Sequence, residues 1–251
     1  MNVIVVGGGI VGSATAYHLA RAGVDVTLFD RADEGRATAA GAGILSPATS
    51  SNADSEPWFR FAIDAVDYYE ALNAELLESG VTETGYAVPG LLQIAVDESE
   101  ARVFDEAMAR IRDRQERLGA PERVDELTSA EARERSPIVG EVTRALWNPN
   151  GGRVDGRTFT AALREAGERA GMTVREADVT GIRVESGEVA GVHVDGERVD
   201  GEAVVVAGGA WSPEFAADLD YEVPVEPMRG QILHLQTDRS TDEWPIVTGT
   251  R

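Results

Sequence analysis

The first thirty residues, MNVIVVGGGIVGSATAYHLARAGVDVTLFD, constrain the fold more than any later stretch. Val3 to Val6 are a short apolar, β-branched run that feeds directly into Gly7-Gly8-Gly9-Ile10-Val11-Gly12, a G-x-G-x-x-G turn. Ala14, Ala16, Tyr17, Leu19 and Ala20 follow at near-helical spacing, and Gly23 stops the helix. Val24 to Phe29 then predict a second strand ending in Asp30. The order is that of a βαβ unit with a carboxylate where a ribose would sit.

Each element of this unit has a physical task. Gly7 permits the tight turn out of the strand, Gly9 lets the backbone approach a pyrophosphate, and Gly12 lets the helix pack closely on the sheet. The phosphates would lie at the positive end of the helix, against amides that have no partner inside it. Asp30 comes 18 residues after Gly12, close to the roughly 20-residue offset of a carboxylate that hydrogen-bonds the adenosine ribose. A carboxylate there disfavours a 2′-phosphate, and the adjacent Arg31 works against that preference. At this point the pattern specifies an adenine dinucleotide and leaves NAD and FAD equally open.

Composition narrows the classes further. The hydrophobic fraction of 43% and charged fraction of 27% belong to a globular chain with a sizeable core. The absence of cysteine excludes disulfides, thiolate nucleophiles, cysteine-based zinc sites and cysteinyl flavin links. The net charge is −21 and all 23 basic residues are arginine, so the surface repels phosphate backbones and argues against a nucleic-acid partner. Dispersed acid without lysine resembles the composition of proteins from salt-loving organisms. No run approaches about 18 apolar residues, so no integral membrane segment is expected. The glycine turn begins at Gly7, which leaves no room for a signal peptide, and the expected location is cytoplasmic.

Further along, Gly35 to Ser55 is a small-residue stretch suited to a loop or short helix whose backbone approaches a ligand. Pro57 to Ser79 reads as a long amphipathic helix with Phe61, Ala65, Tyr68, Leu72, Leu76 and Leu77 on one face. A strand is expected over Tyr86 to Val96, a charged helix over about Glu98 to Leu118, and a short helix opened by Thr128-Ser129-Ala130-Glu131. α/β order returns with a helix from about Gly156 to Ala170 and a strand at Thr173 to Arg175. A β-meander then covers Val179 to Val199, turning at Ser186-Gly187 and Asp195-Gly196. Glu202 to Ala207 is a buried strand running into a second glycine turn, Gly208-Gly209-Ala210-Trp211. His18, His193 and His234 form no spacing that suits a metal or a catalytic pair, and are read as structural.

Four separated segments resemble one family. GGGIVGSATAYHLA, the loop GRATAAGAGIL, the stretch GGRVDGRTFTAALREAGERAG with the following Val179, and VVVAGGAWSPEF leading to PMRGQILHL are similar to FAD-dependent amino acid and amine oxidoreductases of the D-amino-acid-oxidase group, glycine oxidase and sarcosine oxidase among them. The resemblance implies an α/β fold: a Rossmann-like FAD/NAD(P)-binding domain with an inserted α+β substrate domain. The cofactor domain would be discontinuous, residues 1–85 and 148–222, and residues 86–147 and 223–251 would form part of the substrate domain.

By the same resemblance, Gly7, Gly9, Ile10, Val11 and Gly12 lie against the pyrophosphate, and Asp30 and Arg31 flank the adenosine ribose. Ala37 and Thr38 contact the phosphate region, while Ala42, Gly43 and Ile44 line the path to the flavin ring. Val179 holds the adenine edge through its backbone, and Ala207, Gly208, Gly209 and Trp211 close over the dinucleotide. For Arg229 and Gln231 two readings stay open, a place bordering the site and a purely structural role. FAD would be bound noncovalently, because the chain has no cysteine and the loop near Thr38 has no histidine.

The implied activity is removal of hydride from the amine-bearing carbon of glycine, sarcosine or a D-amino acid. The residues that grip the substrate carboxylate in the family, an arginine and a tyrosine, are expected beyond the segment that ends at Arg251, so no catalytic residue is assigned. That absence is expected to prevent the 251-residue chain from turning over substrate alone. A homo-oligomer or a missing C-terminal partner would fit the same pattern. Two alternatives stay open: an FAD enzyme acting on a hydroxy acid or glycerol phosphate, and an inactive cofactor-binding fragment or subunit.

Overall fold

The computed structural model describes residues 1–50, 55–118 and 124–249. Residues 51–54 of the Gly35–Ser55 loop lie outside the described residues. From the N-terminus the chain forms β1 (Asn2–Val6), α1 (Ile10–Arg21), β2 (Asp25–Asp30), α2 (Ala37–Ala40), β3 (Ile44–Leu45) and α3 (Glu56–Glu78). Next come β4 (Tyr86–Ala87), β5 (Leu91–Ala95), α4 (Glu98–Leu118), β6 (Asp125–Leu127), α5 (Ser129–Arg135), β7 (Arg144–Asn148) and β8 (Gly152–Val154). The last third holds α6 (Gly156–Arg169), β9 (Thr173–Glu176), β10 (Val179–Glu185), β11 (Glu188–Val194), β12 (Glu197–Asp200), β13 (Ala203–Val206), α7 (Ala216–Leu219) and β14 (Ile246–Gly249).

One compact unit comprises Met1–Gly41, Ala74–Gly85 and Asp155–Leu233. Its centre is a parallel sheet in the order β13-β1-β2-β9. Side chains alternate across β1, as a strand buried on both faces requires. Val3 and Val5 pack with Ala16 and Ala20 of α1, with Val26 and Leu28, and with Met172. Ile4 and Val6 pack with Phe29 and with Val179, Ile182, Val192 and Val194 of the antiparallel sheet β10-β11-β12. Helix therefore covers one face of the parallel sheet and a three-stranded meander the other.

The meander turns where the sequence places its breakers. Ser186 and Gly187 both have positive φ, as do Asp195 and Gly196, the conformation of two-residue hairpin turns that match strand twist. Helix α6 starts at an Asp155 N-cap whose carboxylate accepts from the Thr158 amide at 2.8 Å. It buries Phe159, Ala162, Leu163 and Ala166.

The second unit comprises Ala42–Asn73, Tyr86–Val154 and His234–Arg251. It contains a mixed sheet in the order β14-β5-β7-β6 and a small sheet β3-β8-β4. Phe104, Met108 and Ile111, four and three residues apart on α4, pack with Ala95 and Leu146. The Thr128–Glu131 capping box is formed in full at the start of α5. Residues 42–73 and 148–154, grouped by sequence pattern with the cofactor domain, pack within this unit.

Two local expectations are corrected. The strand expected over Tyr86 to Val96 is broken into β4, which pairs with β8, and β5, which pairs with β7 and β14. Pro89 cannot donate to a ladder, and Gly90 turns with φ +83° where a Cβ would strike the Trp147 ring. The buried face of α3 is also rotated from the expected one. Phe59, Leu72 and Leu76 are buried, whereas Phe61 is 71% exposed and Leu77 45% exposed. Trp58 is exposed as well.

Candidate cofactor site

The order β13-β1-β2-β9 places the point where chain direction across the sheet reverses between β1 and β13. In open α/β sheets, ligands bind beyond the carboxyl ends of the strands at such a point. Both glycine turns leave the sheet there. Gly7 has φ +100°, and a Cβ on it would lie 2.5 Å from the Ala207 carbonyl oxygen. A Cβ on Gly12 would collide with the Gly7 carbonyl and lie 3.1 Å from the Ala207 methyl. The two turns thus approach closely only because Gly7 and Gly12 carry no side chain. The Ala207 amide donates to the Val6 carbonyl at 2.7 Å, and the Gly7 amide to the Phe29 carbonyl at 2.8 Å.

Helix α1 begins at Gly9 with no side-chain cap and no acidic residue in its first turn. Amides in that turn have no intrahelical acceptor. The Ile10 amide donates to Thr38 Oγ1 at 3.0 Å. Val11 is 68% exposed at this end of the helix. An anion laid across Gly9 to Gly12 would meet amide donors, the positive end of the helix dipole and no competing carboxylate of the helix itself.

Asp30 ends β2 beside this turn, and its side chain is only 11% exposed. It is already engaged by groups of the protein. Oδ1 accepts from the Ala32 amide at 2.9 Å. Oδ2 pairs with Arg36 Nη1 at 3.2 Å and with Arg164 Nη2 of α6. The same Arg164 nitrogen donates to the Gly8 carbonyl, and Arg164 Nε donates to the buried Ser13 hydroxyl at 3.2 Å. Arg31, next to Asp30 in sequence, turns to Asp33, Asp178 and Glu214 and lies 5.2 Å from the Trp211 ring centroid. Partial burial opposes its charge, but the hydrogen bond and charge of Asp33 with the charges of Glu214 and Asp178 outweigh burial and raise its pKa. Arg31 is therefore committed to carboxylates.

These contacts gather most of the expected residues in the first unit. Gly7 and Gly12 adjoin Ala207, Gly9 and Ile10 adjoin Thr38, Val11 is exposed between them in the chain, and Trp211 follows through the bond from its amide to the Gly208 carbonyl at 3.0 Å. Gly209 has φ +55°. Arg31 links the end of β2 to Asp178, which precedes the buried Val179, and to the Trp211 turn. Ala37 and Thr38 open α2. Its position relies on Gly156, where a Cβ would collide with the Thr38 carbonyl. Ala42, Gly43 and Ile44 belong to the second unit. There the Val154 amide donates to the Gly43 carbonyl at 2.9 Å, and Ile44 pairs with Arg153.

Gly8, Ser13, Arg36, Gly156 and Arg164 take part without having been singled out from sequence. Gly8 is a variable position of G-x-G-x-x-G, yet a Cβ there would strike both the Arg164 guanidinium and the Asp30 carboxylate. Arg164 reads as one polar position of an amphipathic helix, and nothing local ties it to Asp30. A separate shallow hollow, lined by Tyr17, Arg21, Glu75, Ser79 and Arg169, lies at the opposite end of α1. Its arginines already pair with Glu75 and the Ser79 carbonyl.

A family model described as FAD-dependent oxidoreductase, the DAO family, matches residues 2–250. The chain belongs to the FAD-dependent oxidoreductases of the DAO family. Within that family it is 33% identical over 247 residues to the uncharacterised oxidoreductase YurR of Bacillus subtilis, covering 98% of this chain and 65% of that protein. It is 32% identical to a glycine oxidase of Geobacillus kaustophilus, covering 92% and 60%. Among solved structures, an iminodiacetate oxidase from Chelativorans sp. BNC1 superposes with a TM-score of 0.88 at 34% identity, covering 98% of this chain and 66% of that one. The chain spans somewhat under two thirds of the length of these relatives.

The family's cofactor is FAD, and the first unit fits it. The N-cap residue Gly9 offers the helix end no side-chain cap, and side chains at Gly7 and Gly12 would close the space between the two turns. No helix among the described residues is long and apolar enough to cross a membrane.

Proposed function

We propose that this chain is the FAD-holding portion of an oxidase or dehydrogenase that acts on the amine-bearing carbon of a small amino acid or secondary amine. The observation that carries the reading is the pair of abutting glycine turns after β1 and β13, with Asp30 beside them, in a chain matched to the family along its length. Support for the substrate class comes from relatives named as oxidases of glycine and of iminodiacetate, compounds in which an amine nitrogen stands next to a carbon bearing a carboxylate.

In this reading the amides at the start of α1 hold the pyrophosphate, Asp30 accepts from the adenosine ribose, and the Ala207 to Trp211 turn covers the dinucleotide. Ala42, Gly43 and Ile44 belong, by family resemblance, to the approach to the flavin. Bound FAD supplies an acceptor for hydride from the amine-bearing carbon. The protein's part is orientation, which brings the donor carbon to the acceptor without loss of translational freedom in the reacting step. FAD is held without a covalent link.

The test is to purify the chain, quantify FAD per polypeptide, and mix it anaerobically with glycine, sarcosine, iminodiacetate, a hydroxy acid and glycerol phosphate. Bleaching of the oxidised flavin band by amines alone supports the reading. Bleaching by the hydroxy acid or glycerol phosphate instead overturns it. FAD retention without reduction by any of them identifies a chain that holds the cofactor but cannot turn over by itself.

A further inference from the structure

Arg164 sits 134 residues from Asp30 in sequence, yet its guanidinium joins three parts of the dinucleotide turn. Nε donates to Ser13 Oγ at 3.2 Å, and Nη2 donates both to the Gly8 carbonyl and to Asp30 Oδ2. Ser13 is fully buried, and its hydroxyl also donates to the Gly8 carbonyl at 3.2 Å. The two protons of Nη2 are thereby used on two acceptors in different strand-end loops. A lysine ammonium could not reproduce this planar fork.

The arrangement also fixes what Asp30 has left to offer. An ionised carboxylate accepts along about four lone-pair directions. Arg164 and Arg36 take the two on Oδ2, and the Ala32 amide takes one on Oδ1. Among the described residues no other group takes the second direction on Oδ1, which is left for one hydroxyl donor.

We propose that Arg164 is a positioning residue for the cofactor: it clamps the Asp30 carboxylate to the Gly8 carbonyl so that a single acceptor direction on Oδ1 faces a ribose hydroxyl. This rests on the reading of the first unit as the FAD site. Arg164 touches no part of the dinucleotide in this role and acts on the ribose through Asp30, with the Gly8 carbonyl and Ser13 as its anchors. Loss of Arg164 leaves the carboxylate held only by Arg36 and the Ala32 amide, so the ribose must complete its ordering on binding. Because the clamp lies at the adenosine end, its loss weakens ADP and FAD by a common factor.

The experiment is a titration of the cofactor-free 251-residue chain with FAD, read by quenching of flavin fluorescence, and with ADP, read by displacement of FAD. Wild type is compared with R164M, R164K, D30N and the double variant D30N/R164M. Cofactor-free thermal midpoints are measured alongside. R164M is expected to weaken both ligands about tenfold, about 1.4 kcal/mol, with R164K restoring only part of the loss. The double variant is expected to bind no more weakly than D30N, since Arg164 acts through that carboxylate. FAD binding by R164M within twofold of wild type overturns the proposal while leaving the cofactor reading intact. Additive losses in the double variant also overturn it, because they assign Arg164 a separate, merely structural role. Failure of wild type to bind FAD overturns both.

Discussion

Arg164 holds Asp30 from the far side of the glycine turn, so the carboxylate that ends β2 is fixed by a helix more than a hundred residues downstream. The contact is possible only because Gly8 has no side chain between them. A dinucleotide turn is usually read through its three motif glycines. Here a fourth glycine makes room for the network that orients the acid.

Gly8→Ala tests that relationship. The added methyl must displace the Arg164 guanidinium and the Asp30 carboxylate. FAD affinity is expected to fall at least about tenfold, about 1.4 kcal/mol, in a fluorescence titration. Gly140→Ala, where a Cβ meets nothing within 4 Å, is the control and should bind FAD as wild type does.

Asp155→Ala removes the N-cap of α6 and is expected to destabilise the protein by about 1 kcal/mol in urea unfolding. The Thr158 amide bond holds the Asp155 carboxyl below its ordinary value of 3.8, with partial burial opposing. Its folded pKa is depressed, so the stabilisation is complete above 3.8 and is lost as pH falls through the lower folded value. The gap between wild type and variant should therefore close in acid. A gap unchanged down to that range would refute the capping role.

His18 gives a second pH dependence in a different window. Burial, and next the Arg21 charge, lower its pKa from 6.5, with Glu75 opposing. The folded protein then binds fewer protons at His18 than the unfolded chain does, so stability declines as pH falls from 6.5 toward the folded value. In thermal melts across that window, His18→Gln should show a flatter profile than wild type.

Salt should stabilise the protein. With 44 acidic residues against 23 arginines, net repulsion acts over the whole surface, whereas each exposed ion pair contributes only about 0–1 kcal/mol. Raising KCl from about 0.1 M to about 1 M shortens the screening length from about 10 Å to about 3 Å. The melting temperature is expected to rise, and a fall would mean that the ion pairs outweigh the repulsion.

The sequence by itself determined the elements whose cause is local. Breakers and periodicity fix the βαβ unit at residues 2–30, the meander turns at Ser186-Gly187 and Asp195-Gly196, and the capping box at Thr128–Glu131, because each depends on residues a few positions apart. Where several positions of one helix could turn inward, as Phe59 and Phe61 of α3 could, only packing decided which did. Tertiary structure alone decided the company of Asp30 and the need for glycine at Gly8 and Gly156. Those depend on α6 lying beside α1 and α2, and a distance of 134 residues along the chain carries no signal of contact across it.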